Sequence, residues 1–250
     1  MELERAPFQG VLNILKFNWH FYVITGSIFI AAILLFPLLP SFLQSFIFWI
    51  LILAIGTILI SLVVSWYVYD LSNLYQLPWI EEVDYRRILN IHAGFDETSN
   101  LIKHKFPRSE VAICDFYDPQ KHTEVSIKRA RKAYPIESNT LSVTTQKLPF
   151  EEGTFDLCLV ILSAHEIRRQ KERIGFFNEL RRITKPKGKI AVTEHLRDVS
   201  NFTAYTLGAF HFHSRATWLH TFKEAQLIIE KEIKTTPFIT SFILQHGNTF

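Results

Sequence analysis

The sequence predicts an α/β protein built in two parts: two transmembrane helices, then a seven-stranded, mostly parallel sheet with helices on both faces. Three observations predict it. Residues 17–69 contain no Asp, Glu, Lys or Arg, an uncharged run of 53. Of the 51 charged side chains, 47 lie in the 181 residues that follow. Within those 181, short apolar runs alternate with longer amphipathic ones, the pattern of strands joined by covering helices. The overall 48% hydrophobic and 20% charged composition therefore describes neither part.

About 20 apolar residues at a rise of 1.5 Å span a hydrocarbon core of roughly 30 Å, so the uncharged run holds two passes. The first covers about 19–39 and the second about 46–69, with Pro37, Pro40, Ser41, Gln44 and Ser45 marking the break. Proline near the end of a pass removes a backbone donor and stops the helix. Trp19, Tyr22, Trp66, Tyr67 and Tyr69 gather at the open end and Trp49 near the turn, as rings with a polar tip do at a membrane interface. A cleaved signal peptide is excluded, because the first apolar block is too long and a second follows at once. Two passes put residues 1–18 and the long C-terminal part on one side. Arg5, Lys16, Arg86 and Arg87 flank the open end while the tip carries no charge, which predicts a cytoplasmic face. Apart from His20 and terminal tyrosines the passes hold no ionisable group, so an anchor is expected and not a channel. Residues 70–85, with Pro78 and four acids, read as a connector.

From 86 to 250 the strand candidates are 88–91, 111–114, 141–143, 157–162, 190–193, 227–233 and 238–244. Most are continuously apolar, as strands buried on both faces must be. Helices are expected at 97–105, stopped by Pro107, at 121–132, at 169–184 and at 218–225. In the third of these Ile174, Phe177, Leu180 and Ile183 line one face at helical spacing. Lys185 to Gly188 read as a turn, and 199–214 as an irregular aromatic stretch.

Residues 70–250 carry 25 basic and 22 acidic residues, too mild a balance to predict nucleic acid binding. Cys114 and Cys158 sit inside strand candidates and read as buried thiols of a reducing compartment. No Gly-rich phosphate loop or metal-ligand spacing is present, and the basic runs 128–132 and 168–173 read as solvated helix faces, able at most to meet anionic headgroups.

In an open α/β sheet ligands bind beyond the carboxyl ends of the strands, near the point where strand order reverses. The residues there are Asn90 to Glu97 after the first strand and Asp115 after the second. The third is followed by Thr144, Thr145 and Gln146. The fourth, 157–162, carries Ile161 near its end, with Ser163, His165 and Glu166 beyond it. A carboxylate such as Asp115 can accept hydrogen bonds from two ribose hydroxyls.

Here the chain resembles the class I S-adenosylmethionine-dependent methyltransferases, in particular the group acting on small molecules, lipids and quinones. The stretch Leu148-Pro149-Phe150-Glu151-Glu152-Gly153-Thr154-Phe155-Asp156-Leu157 resembles that group's signature before the fourth strand, with His165 at the usual distance. Arg181-Arg182-Ile183-Thr184-Lys185-Pro186-Lys187-Gly188-Lys189 resembles its later turn. The resemblance implies a Rossmann-like sheet and S-adenosylmethionine as cofactor. It assigns cofactor contacts to Asn90, His92, Ala93, Gly94, Asp96, Asp115, Thr144, Thr145 and Ile161. Asp115 matches the ribose-binding acid. The first motif departs: Asn90 stands for an acid, and His92 and Asp96 for two of three glycines, where side chains crowd the approach to the methionine moiety.

Methyl transfer to a sulfonium's partner is an in-line displacement that mainly needs positioning and exclusion of water. A phenolic or enolic acceptor needs a base as well. His165 and His195 are the candidates for catalysis, with His211 and His213 nearby in the aromatic stretch and Glu166 or Glu194 to orient one of them. The function expected is a membrane-anchored methyltransferase acting on a lipophilic small molecule beside membrane lipids. Its rivals are a tethered, non-catalytic scaffold that has lost the cofactor with His92 and Asp96, and an α/β enzyme binding another nucleotide at Asp115.

Overall fold

The computed structural model describes residues 5–247. Seven strands form one sheet: β1 (Arg87–His92), β2 (Glu110–Asp115), β3 (Thr140–Ser142), β4 (Phe155–Ile161), β5 (Thr184–His195), β6 (Leu227–Thr236) and β7 (Ile239–His246). Their order is β3-β2-β1-β4-β5-β7-β6. Strands β1 to β5 are parallel, and β7 pairs antiparallel with both β5 and β6. The direction of winding reverses between β1 and β4, which opens a crevice at their carboxyl ends.

The helices are α1 (Gln9–Leu35), α2 (Ser41–Trp66), α3 (Ser99–Lys105), α4 (Val125–Ala133), α5 (Gln170–Ile183), α6 (Val199–Tyr205) and α7 (Arg215–Glu224). Helices α5 and α7 press Phe176, Phe177, Leu180, Trp218 and Phe222 onto one sheet face, all of them fully buried. At about 1.5–3 kcal/mol for each large apolar side chain, this layer alone outweighs any surface contact.

On the opposite face α3 contributes Ile102, and the space beside it is filled by a segment the sequence reading treated as a connector. Val68, Leu74, Leu77, Trp79 and Ile80 are all buried there against β1, β4 and β5. A π-helical turn (Tyr67–Leu71) and a short 3-10 helix (Asn73–Gln76) fold that chain back under the sheet. Within 70–85, Leu74, Leu77, Trp79 and Ile80 therefore belong to the domain's core, while residues 81–84 are exposed. The stretch from Lys185 to Gly188 also differs from expectation. It belongs to β5, where Phe155 pairs with Thr184 and Leu157 with Lys189, so the extra residues of β5 bulge out.

Helix α1 starts ten residues earlier than the first apolar pass read from sequence. At Asn18 its backbone leaves helical geometry (φ −114°, ψ 17°), and the Asn18 amide donates to the Ile14 carbonyl at 3.1 Å. Before this kink, Gly10, Asn13 and Phe17 are buried against the domain; residues 5–18 thus do not stand apart from it. After the kink, Phe21, Ile28, Ile33 and Leu34 point outward, as do Phe42, Phe46, Trp49 and Leu53 on α2. The segments Gln9–Leu38 and Ser41–Gln76 hold 18-residue stretches of mean hydropathy 2.3 and 2.9 and are long and apolar enough to cross a membrane.

Candidate functional site

The carboxyl ends of β1, β2, β4 and β5 meet the first turns of α1, and the site lies between them. The close approach is set by Gly10, where a Cβ would collide with that of Tyr69. Asp70 accepts the Gly10 N–H at 2.7 Å and the Val11 N–H at 3.0 Å, satisfying amides that the start of α1 leaves open. Asn13 accepts from the Tyr134 hydroxyl at 2.9 Å and donates to Glu97 at 3.3 Å, while Phe17 packs edge-on to Phe95. This half of α1 roofs a cavity of about 260 Å³ lined by Ile14, Phe17, Phe95, Ile161, His165, His195 and Phe212.

At the end of β1, Asn90 is turned away from the cavity. Its amide donates to Thr98 at 3.0 Å and Ser99 at 2.8 Å, joining β1 to α3. His92 points inward; its Nδ1 accepts the Gly94 N–H at 3.3 Å, and its buried Nε2 has no hydrogen-bond partner. Burial keeps this imidazole below its ordinary pKa, against the pull of Asp96 and Asp115. Ala93 is buried behind it, and Gly94 has φ +93°, which only a glycine adopts without strain. Asp96 accepts the Thr98 and Ser99 N–H groups at 2.9 Å each, so it closes the start of α3 instead of facing a ligand.

Asp115 is buried at the end of β2, receiving the Tyr117 N–H at 2.9 Å and Arg131 Nη1 at 2.5 Å. The Arg131 guanidinium lies over the Tyr117 ring, 4.2 Å from its centroid. A charge-assisted pair with a buried carboxylate is strong. Arg131 is therefore not on a solvated face as its basic run implied, and neither is Arg129, which donates to the Phe17 carbonyl at 2.7 Å. Beyond this pair a second cavity, about 620 Å³, is lined by Tyr117, Thr144, Thr145 and Gln146 with residues 166–169. Thr145 donates to Glu172 at 2.6 Å, which leaves Thr144 and Gln146 as the polar groups at the end of β3.

The histidines divide by environment. Glu194 is wholly buried on β5: its Oε1 accepts the N–H groups of Ser163 and His165, and its Oε2 lies 2.6 Å from His165 Nδ1. Burial alone would lower the His165 pKa, but the Glu194 and Glu166 carboxylates raise it to about 10, so His165 is a cation facing the cavity. His195 is the reverse. Burial pushes it down to about 4, and its hydrogen bonds suit a neutral ring, with Nδ1 donating to Asn201 Oδ1 at 2.9 Å and Nε2 accepting from Tyr69 at 2.8 Å. The Asn201 amide fixes that assignment by donating to the Phe238 carbonyl at 3.0 Å. Phe212 stacks on His195 at 4.7 Å.

His211 lies 5.0 Å from the His165 ring and reaches Glu166 and Glu124. Ligand atoms of His165, Glu166 and His211 fall within 4.8 Å of one another, close enough to hold a metal ion. Arg168 also lies against this cluster, its Nη2 2.9 Å from His211 Nε2. His213 is held 3.1 Å from Arg173 and, by burial and that charge, falls to about 3; it lies outside the acceptor-side cavity where the aromatic stretch was expected to place it.

Residues 95–192 match the family described as a methyltransferase domain. Over that stretch the chain is similar to a methyltransferase domain. Two curated relatives of the domain are demethylmenaquinone methyltransferases. That of Thermus thermophilus is 27% identical over 109 residues, 44% of this chain and 47% of its own. That of Thermotoga maritima is 27% identical over 140 residues, 56% of each. The chain spans about half the length of these relatives. A crystal structure of a Pyrococcus horikoshii protein shares the fold over 70% of this chain and 88% of its own, with 17% identity and a TM-score of 0.52. An Aquifex aeolicus S-adenosylmethionine-dependent methyltransferase overlaps 64% of this chain and 81% of its own at 15% identity and a TM-score of 0.47.

Of the residues read from sequence, His92, Ala93, Ile161, His165 and His195 line the 260 Å³ cavity, and Thr144 and Thr145 the 620 Å³ one. Asp115 stands between them under Arg131, whereas Asn90 and Asp96 serve α3. Sequence reasoning missed Tyr69, Asn201, Asp70, Glu97 and the roof residues Asn13 and Phe17. An amphipathic beginning to α1, with Asn13 and Phe17 four apart, was the available signal.

Proposed function

We propose that this protein is a membrane-anchored enzyme that uses S-adenosylmethionine to methylate a hydrophobic acceptor: a quinone, a lipid or an aromatic pigment precursor. One observation carries the proposal: a single helix, α1, roofs the cavity at the sheet's carboxyl edge and then continues as an apolar span. A site so placed opens next to the phase in which such an acceptor concentrates. The names of the two curated relatives make a quinone the first acceptor to try. The basic residues at the open end of the hairpin support a two-pass arrangement with the domain on the cytoplasmic side.

The residues present fit the cofactor. Asp115 offers a carboxylate for the ribose hydroxyls once Arg131 swings aside, and Thr144 and Gln146 can meet the adenine in the wider cavity. His92, whose Nε2 has no hydrogen-bond partner among the described residues, and Ala93 face the remaining part. When bound, S-adenosylmethionine supplies an electrophilic methyl group on a sulfonium. The protein's part is to exclude water with Ile14, Phe17, Phe95 and Phe212 and to orient the acceptor. His165, held as a cation by Glu194, stabilises a phenolic or enolic oxygen of the acceptor in its anionic form. His195, neutral and tied to Tyr69 and Asn201, shapes the opposite wall.

Calorimetric titration of the detergent-solubilised full chain with S-adenosylhomocysteine tests the reading. Binding is expected, and Asp115→Asn should weaken it at least tenfold, about 1.4 kcal/mol. The Arg131 ion pair on Asp115 favours a second reading, a tethered scaffold without cofactor. Silence at millimolar ligand selects that scaffold and rejects the enzyme.

A further inference from the structure

We propose that α6 and the 3-10 turns that follow it (Thr206–His211) are a third membrane element, lying in the bilayer interface beside the hairpin and backing the wall of the 260 Å³ cavity at His195. The proposal rests on the membrane reading of α1 and α2. Residues 199–210 carry no charge, in a domain where charges are otherwise frequent, and are bracketed by Arg197 and Asp198 at one end and His211 at the other. Val199, Leu207 and Phe210 are 82%, 79% and 60% exposed, and Phe202, whose ring meets Phe210 at 5.1 Å, completes one apolar surface.

The other side of the same element is committed to the domain. Asn201, Ala204 and Ala209 are buried, and the Tyr205 ring stands 5.4 Å from His195. An element with one face in the core and an uncharged, aromatic outer face is amphipathic in the manner of interfacial helices. Its conformation is also forced. Thr206 has φ 49° and ψ −122°, a region hostile to a β-branched residue, and this turn projects Leu207 outward.

The occupant of that surface follows from continuity. Helix α6 packs against α2, so its apolar face lies beside the outward face of the hairpin. On the far side of α1, Arg129 lies 5.0 Å over the Trp19 ring, a pairing suited to headgroup level. The element then backs His195 of the cavity wall, with Asn201 and Tyr205 against that ring on one side and lipid on the other.

Site-directed fluorescence in the full chain tests this. Cys114 and Cys158 are buried and their thiols are pushed up to about 12 by desolvation, so an introduced cysteine labels selectively. An NBD probe is placed on Leu207→Cys, with Leu34→Cys as the hairpin control and Lys187→Cys as the aqueous control, in phosphatidylcholine–phosphatidylglycerol nanodiscs. Lipids carrying a shallow nitroxide should quench the 207 probe at least half as strongly as the 34 probe and leave 187 unchanged. Quenching at 34 without quenching at 207 overturns the proposal and spares the membrane reading. A blue-shifted but unquenched 207 probe means that protein covers the face, a second copy or another partner, and also overturns it. No quenching at 34 removes the membrane reading and this inference together, while cofactor binding is judged separately by titration.

Discussion

Arg131 is the side chain on which cofactor access turns, because it holds the carboxylate a ribose would need. Arg131→Met should raise S-adenosylhomocysteine affinity if release of that ion pair limits binding; an affinity lowered more than tenfold would show instead that Arg131 contacts the ligand, and isothermal titration reads either result. Two histidines set the pH response in opposite senses. The folded pKa of His165, about 10, exceeds the ordinary value of 6.5, so its stabilisation is complete below about 6.5 and is lost as pH rises through 10. His195, at about 4, binds its proton more weakly when folded, so stability falls as pH drops from 6.5 toward 4. Thermal midpoints should therefore peak near pH 6.5, and His165→Gln should flatten the alkaline limb. At this scale Asp115 and His165 were legible because strand ends are fixed by short apolar runs. Tyr69 was not: it meets His195 across 126 residues, and its tail-end position in an apolar run read as an interfacial ring.

Among the elements, α1 depends on a cap supplied from outside itself. Removing the two acceptors in Asp70→Ala should cost about 1 kcal/mol and accelerate hydrogen exchange at Asn13 to Phe17. If exchange there is unchanged, the carboxylate does not hold the roof. Strands β1, β4 and β7 were legible because they are almost wholly buried and hold few charged residues, whereas β6, with Glu230, Lys231, Glu232 and Lys234, is largely open on one side. The bulge in β5 was hidden, since Pro186 and Gly188 are turn residues whether or not the chain keeps its pairing on either side. Helix α6 was hidden for a related reason: Asn201 and Thr203 are weak helix formers, and only packing on α2 and the domain decides their conformation.

For the molecule as a whole, the two-part division was legible from charge alone, but the independence of the parts was not a fact of the structure. Val68, Leu74, Leu77, Trp79 and Ile80 bury completely or nearly so under the sheet. At about 1.5–3 kcal/mol each their loss sums to the order of 10 kcal/mol, as much as a typical domain's entire stability. A chain starting at residue 86 should therefore aggregate or bind ANS as a loosened state, whereas one starting at residue 67 should give a cooperative melt. Equal behaviour of the two would show that the segment is dispensable.

The kink at Asn18 joins the cavity roof to an apolar rod whose inclination, on the proposed reading, answers to hydrocarbon thickness. A thicker or thinner bilayer tilts that rod and so lifts or presses Phe17 and Ile14 over the acceptor. Turnover should then pass through a maximum across phosphatidylcholines of graded acyl length, making the host membrane's thickness a control on the enzyme's rate.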